Sequence, residues 1–158
     1  MNLQKLIEKG RLESFDGASN DQIRNKFFRG ISFLNIAKKI FSMDDESKDR
    51  NAFVHSSVYS ALQMIGSAYL LANNYRARGS AHHETVIMAC RLIMNDEKLA
   101  EVFDRLEIMR KNRNKINYGV DLLDVSNGAI EQAIADVSLF SDKVEVVINA
   151  KNSQQKLI

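Results

Sequence analysis

Along most of this chain, apolar residues recur at intervals of three and four, the spacing that lays them on one side of an α-helix. Leu3, Leu6 and Ile7 open a short helix expected to reach about Leu12, and Gly17-Ala18-Ser19-Asn20 breaks it. Ser19 or Asn20 can cap the next segment, where Ile23, Phe27, Ile31, Leu34 and Ala37 predict a helix over 21–41. After the acidic run Asp44-Asp45-Glu46-Ser47 comes the strongest periodic signal in the chain. Val54, Val58, Ala61, Leu62, Ile65, Ala68, Tyr69 and Ala72 form one stripe there and predict a long helix reaching about Tyr75. Arg78-Gly79-Ser80 interrupts it before a helix over 81–94, and Asn95-Asp96 caps another that runs to about Tyr118, with Gly119 as its stop. Ser126 and Asn127 begin the last helix on the stripe Ile130, Ala133, Ile134, Val137, Phe140, Val144, Val147 and Ile148, with fraying expected beyond Lys151.

Short connections between long helices enforce antiparallel neighbours. The expectation is therefore an all-α domain over residues 1–158, an antiparallel up-and-down bundle of four to five main helices with a short N-terminal helix. Composition agrees: proline is absent and glycine occurs seven times, so the strongest helix breakers are scarce. Asn127-Gly128 is the one asparagine-glycine pair, and so few hairpin signals leave little room for a strand-rich fold. With 45% hydrophobic and 27% charged residues the chain can bury a continuous core without staples. Cys90 is the single cysteine, which excludes a disulfide within the chain and a multi-cysteine metal site, and its apolar neighbours mark it as packing. No stretch approaches the roughly 20 apolar residues of a membrane span. The N-terminus also lacks the apolar centre of a signal peptide, so a cytoplasmic protein that does not engage membranes is expected.

The net charge of +2 hides an uneven distribution. Arg105, Arg110, Lys111, Arg113 and Lys115 crowd one segment against Glu107 alone, whereas 121–145 is acidic. Counting by three and four from Leu106 reaches Met109, Arg110, Arg113 and Ile116, which turns Arg113 toward the core side. An inward guanidinium needs an anion: either a structural carboxylate, or a phosphate, whose geometry its planar fork matches. Arg110 and Asn114 lie one turn to either side, and Lys115 adds charge. His82 and His83 follow the basic Arg76 to Arg78 stretch and are the titratable candidates, although helix geometry turns adjacent side chains about 100° apart. Consecutive histidines are poor metal ligands on a helix, so neither metal nor other cofactor is expected. His55, Phe27-Phe28, Tyr59 and Tyr69 read as packing, or, for the aromatics, as a dimer interface.

Arg113-Asn114 near the end of the penultimate long helix, after an alanine-rich helix and His82-His83 and before a closing amphipathic helix, resembles the HEPN superfamily over most of the chain. Many members are metal-independent ribonucleases of toxin–antitoxin and phage-defence systems that share their motif across a homodimer. The motif places a histidine a few residues beyond the arginine; here Tyr118 stands in that place and no histidine follows His83. What the resemblance implies is an RNA-binding domain with a degenerate catalytic motif, Arg113, Asn114 and Tyr118, and weak or absent cleavage. A tyrosine with a pKa of about 10 is a poor base at neutral pH. Arg110, Arg76, Arg78, His82, His83 and Lys115 would contact RNA or phosphate. The alternative is a non-catalytic helical module that binds a protein partner, or one that senses a nucleotide.

Overall fold

The computed structural model describes residues 1–43, 48–118 and 125–156. The chain is all-α: α1 (Leu3–Glu8), α2 (Asn20–Phe41), α3 (Lys48–Ala72), α4 (His82–Met94), α5 (Ala100–Tyr118) and α6 (Asn127–Lys156) form the bundle. Helix α3 lies at its centre, in contact with α2, α4, α5 and α6. Its composition explains the position. Every residue of the stripe from Val54 to Ala72 named above is buried, and Tyr59 and Leu70 bury further faces, so the helix is surrounded rather than half-exposed. Helix α2 packs closely along it at Gly30, where a Cβ would stand 2.7 Å from Ile65 Cγ1 and 3.2 Å from the Ala61 carbonyl oxygen. Only the missing side chain permits that approach.

The caps fall where the sequence puts them. Ser19 Oγ accepts from the Gln22 backbone N–H at 3.1 Å and Gln22 Oε1 accepts from the Ser19 N–H at 2.9 Å, a complete capping box. Ser126 Oγ accepts from the Ala129 N–H at 3.1 Å to start α6. Asp96 caps a single 3-10 turn, Glu97–Leu99, from which α5 continues.

Two expectations are corrected. The first helix ends at Glu8 and α3 at Ala72, because Leu12–Ser14 (β1) and Tyr75–Ala77 (β2) pair as a small antiparallel ladder with Glu13 opposite Arg76. Gly10 (φ +65°) and Asn74 (φ 62°) make the left-handed turns into these strands. The last helix continues to Lys156, and Lys151 Nζ donates to the Ala72 carbonyl at 2.8 Å, tying this part of α6 to the end of α3. No described helix is long and apolar enough to cross a membrane.

His55 is 4% exposed, and its Nδ1 finds no hydrogen-bond partner among the described residues. It is a packing residue, as expected, but not a hydrogen-bonded one at that atom. Burial holds its pKa below the ordinary 6.5. As pH falls below 6.5 the unfolded chain takes up a proton that the folded chain resists, so stability drops over the interval down to the lowered value. Thermal melts are expected to show a lower midpoint at pH 5.5 than at pH 7.5. His55→Leu should narrow that gap; an unchanged gap would remove His55 as a cause.

Candidate functional site

The ladder between β1 and β2 does more than close the N-terminus. The Arg78 N–H donates to the Arg11 carbonyl at 2.8 Å, so the chain entering α4 is pinned to the N-terminal segment. Gly79 (φ +80°) then turns it, and the first turn of α4 forms on the Ala81 carbonyl, which accepts from both the N–H and the hydroxyl of buried Thr85 at 3.0 Å each. His82 and His83 therefore emerge at a fixed point, in the first turn of α4.

That point faces the C-terminal half of α5. His82, His83, Arg110, Arg113 and Asn114 line one cavity of about 380 Å³, together with Tyr59 of α3. An adjoining cavity of about 280 Å³ shares Tyr59, His82, His83 and Arg113, and adds Gln63 of α3 and Lys26 of α2. The two make a single cleft. Both histidines border it, which the 100° rule did not anticipate: their rings meet edge to face at 4.2 Å, so the outer ring folds over the inner one. Neither side chain caps the helix.

His83 is the held member of the pair. Its Nδ1 lies 3.2 Å from Tyr59 Oη, Gln63 Nε2 donates to that same hydroxyl at 3.2 Å, and Gln63 also donates to the His83 carbonyl at 3.1 Å. Nδ1 is thus occupied, and Nε2 is the nitrogen left to act. Burial lowers the pKa of His83, and the neighbouring His82, Arg113 and Arg110 lower it further, so the ring is neutral at physiological pH. Burial pushes the Tyr59 phenol the other way, keeping it protonated, while Arg113 and Arg110 partly oppose the shift.

The cations come from one face of α5. Arg113 is half-buried, with its guanidinium carbon 5.3 Å from the Tyr59 ring centroid. Arg110 borders the cleft while its Nε and Nη2 grip Glu107 one turn back, at 2.6 Å for the shorter contact. Glu107 is thereby part of the electrostatics, and it raises the pKa of Arg110. Asn114 stands at the rim, exposed.

Other expected site residues sit elsewhere. Lys115 is exposed on α5 and lines neither cavity. Arg76 and Arg78 do not reach the histidines: on and just beyond β2 they share the Glu13 carboxylate, which their hydrogen bonds hold below the usual carboxylate range. Helix α5 ends at Tyr118, whose side chain lies outside the described residues, as does Gly119. Tyr59, Gln63 and Lys26 were not anticipated as site residues. A signal for the first two existed, since Ser60, Gln63 and Ser67 put a polar edge on an otherwise apolar helix, directly beside Tyr59. Compared with models of known protein families and with curated protein sequences, the chain finds no match in either.

Proposed function

We propose that this chain is a HEPN-like RNA-binding domain acting as a metal-independent endoribonuclease, of the kind that serves toxin–antitoxin or phage-defence systems. The observation that carries the reading is the convergence of His82 and His83 on Arg110, Arg113 and Asn114, some thirty positions apart in the chain but lining one cavity. The histidine missing after Arg113 is supplied from α4.

In this reading Arg113, with Arg110 beside it, holds the scissile phosphate and offsets the charge that builds on its oxygens. His83 carries its own proton on Nδ1, donated to Tyr59, and presents bare Nε2 as the base. It takes the proton of the ribose 2′-hydroxyl, whose oxygen attacks the adjacent phosphorus. The bond from phosphorus to the 5′-oxygen breaks, and that oxygen takes a proton from the acid of the pair, His82. The products are a 2′,3′-cyclic phosphate and a 5′-hydroxyl end. Tyr59 and Gln63 are positioning residues for His83.

Binding is tested with a single-stranded RNA oligonucleotide titrated at several salt concentrations. Arg113→Ala is expected to weaken affinity about 10- to 100-fold, the worth of charge-assisted bonds to phosphate, and to reduce the salt slope by about one. Circular dichroism should show an intact fold. A variant that binds like the wild type contradicts the reading, and one that unfolds assigns Arg113 a structural part instead.

A second reading has its own observation. Phe28, Phe33 and Ile36 of α2 and Phe53 of α3 are large apolar side chains left exposed. They favour contact with another chain, either a second copy or a protein partner, and such contact is compatible with RNA binding in the cleft.

A further inference from the structure

The cleft does not end at Lys26. Lys26 and Met64 border both the cleft and a larger hollow of about 780 Å³, which Phe15, Asn25, Arg29 and Arg76 also line. Cleft and hollow form one trough from the end of α5 to the β1–β2 ladder. Its described lining carries Arg110, Arg113, Lys26, Arg29 and Arg76, and among the described lining residues the one carboxylate is Glu84, already paired with Arg11 at 3.4 Å. A strand of phosphates finds cations along its length.

Arg76 is set in an unusual way. Its guanidinium carbon lies 4.1 Å from the centroid of the Phe15 ring, its Nε donates to Glu13 Oε1 at 2.6 Å, and its Nη2 pairs with the same oxygen. The side chain nevertheless remains 49% exposed. The guanidinium is set against a ring, and one of its edges is held by a carboxylate. The Nε–Nη2 edge of its fork is already engaged, and Glu13 offsets charge that Arg76 and Arg78 share. What the trough is offered is a flat, weakly hydrated face whose ordering cost is already met by Phe15 and Glu13. Nucleobases stack on such faces. Gln22 and Asn25 border the same hollow with amides able to hydrogen-bond base edges.

We propose that Arg76, laid on Phe15 and clamped by Glu13, is a stacking platform for a nucleobase of single-stranded RNA, away from the phosphate held at Arg113. The proposal rests on the reading of the cleft as an RNA site, and it changes the part expected of Arg76 from phosphate contact to base contact. It also sets a length requirement: a ligand must span the trough to use both ends.

The test compares two probes on the full chain, a 2′-O-methyl adenosine dinucleotide and a 2′-O-methyl oligoadenylate of eight residues, which resist cleavage. The octamer is followed by fluorescence anisotropy and the dinucleotide by the histidine ring signals in proton NMR. Arg76→Lys keeps the charge but loses the plane, and Phe15→Leu removes the support. Each is expected to weaken octamer binding about 5- to 100-fold, the range for loss of one stacked base, and to leave the dinucleotide unaffected. Arg113→Ala should weaken both probes. An octamer that binds Arg76→Lys and Phe15→Leu as tightly as the wild type overturns the platform while the cleft reading stands. If neither probe binds the wild type, both fall. Thermal melts of the two variants, expected within a few degrees of the wild type because Arg76 is a surface residue, separate a lost contact from a lost fold.

Discussion

Replacing His82 and His83 together by alanine is expected to slow RNA cleavage by about 10²- to 10⁴-fold, the usual worth of positioned proton transfer, while RNA affinity changes only a few-fold. The asymmetry follows from the division of labour in the cleft. In the proposed mechanism the arginines of α5 supply charge, which both binding and catalysis use, whereas the histidines of α4 move protons, which binding does not need. The acid limb of the pH–rate profile supplies a second readout. His83 must be neutral to act as a base, and its pKa is held below 6.5 by burial, His82 and the two arginines. The rate is therefore expected to persist as pH falls through 6.5 and to be lost only below it. Tyr59→Phe leaves the ring packed but removes the partner of Nδ1, and should lower kcat more than it raises KM, the mark of a positioning residue. Alanine variants that cleave at the wild-type rate would show that the histidines carry no proton.

The second large effect is on the fold. Phe140 of α6 is 1% exposed, meets Phe103 of α5 edge to face at 5.9 Å, and reaches to within 3.8 Å of where a Cβ on Gly66 of α3 would stand. Three helices meet on this one ring. Phe140→Ala is expected to cost about 3–5 kcal/mol, the transfer loss plus the cavity left in a tightly packed interior. At about 2–4 °C per kcal/mol for a chain of this size, the melting midpoint should fall by roughly 6–20 °C. Urea denaturation should show a lower midpoint at an unchanged slope, which separates lost stability from a changed unfolded state. A loss under 1 kcal/mol would mean that α5 and α6 collapse into the vacancy. Phe103 lies two turns before Arg110, so such a collapse would also move the cations of the cleft.

Much of the bundle was legible in the sequence. Repeats of three and four marked the faces of α2, α3, α5 and α6, and Ser19, Asp96 and Ser126 announced their starts, because caps and stripes are local properties read within a few residues. The ladder between β1 and β2 was not, since Leu12 pairs with Ala77 across the whole of α2 and α3 and three-residue strands carry no period of their own. The site divided in the same way. Arg113 and its turn-neighbours were visible as a cluster on one helix. His82 and His83 were named as candidates for the same site, but helix spacing allowed only one to face it, because the entry of both depends on the ladder that pins the chain ahead of α4. Tyr59 was readable as a buried aromatic but not as a hydrogen-bond partner of His83, because a buried ring and a buried ring with a working hydroxyl leave the same trace in the periodicity. Arg76 and Arg78 were read by charge alone, and charge does not reveal that one carboxylate, Glu13, holds them both.

The most direct test is incubation of the purified protein and its Arg113→Ala variant with mixed cellular RNA in EDTA, followed by analysis of the fragment ends. The account predicts fragments bearing 2′,3′-cyclic phosphates and 5′-hydroxyls from the wild type and none from the variant. RNA left intact by both proteins, or cut equally by both, would contradict it.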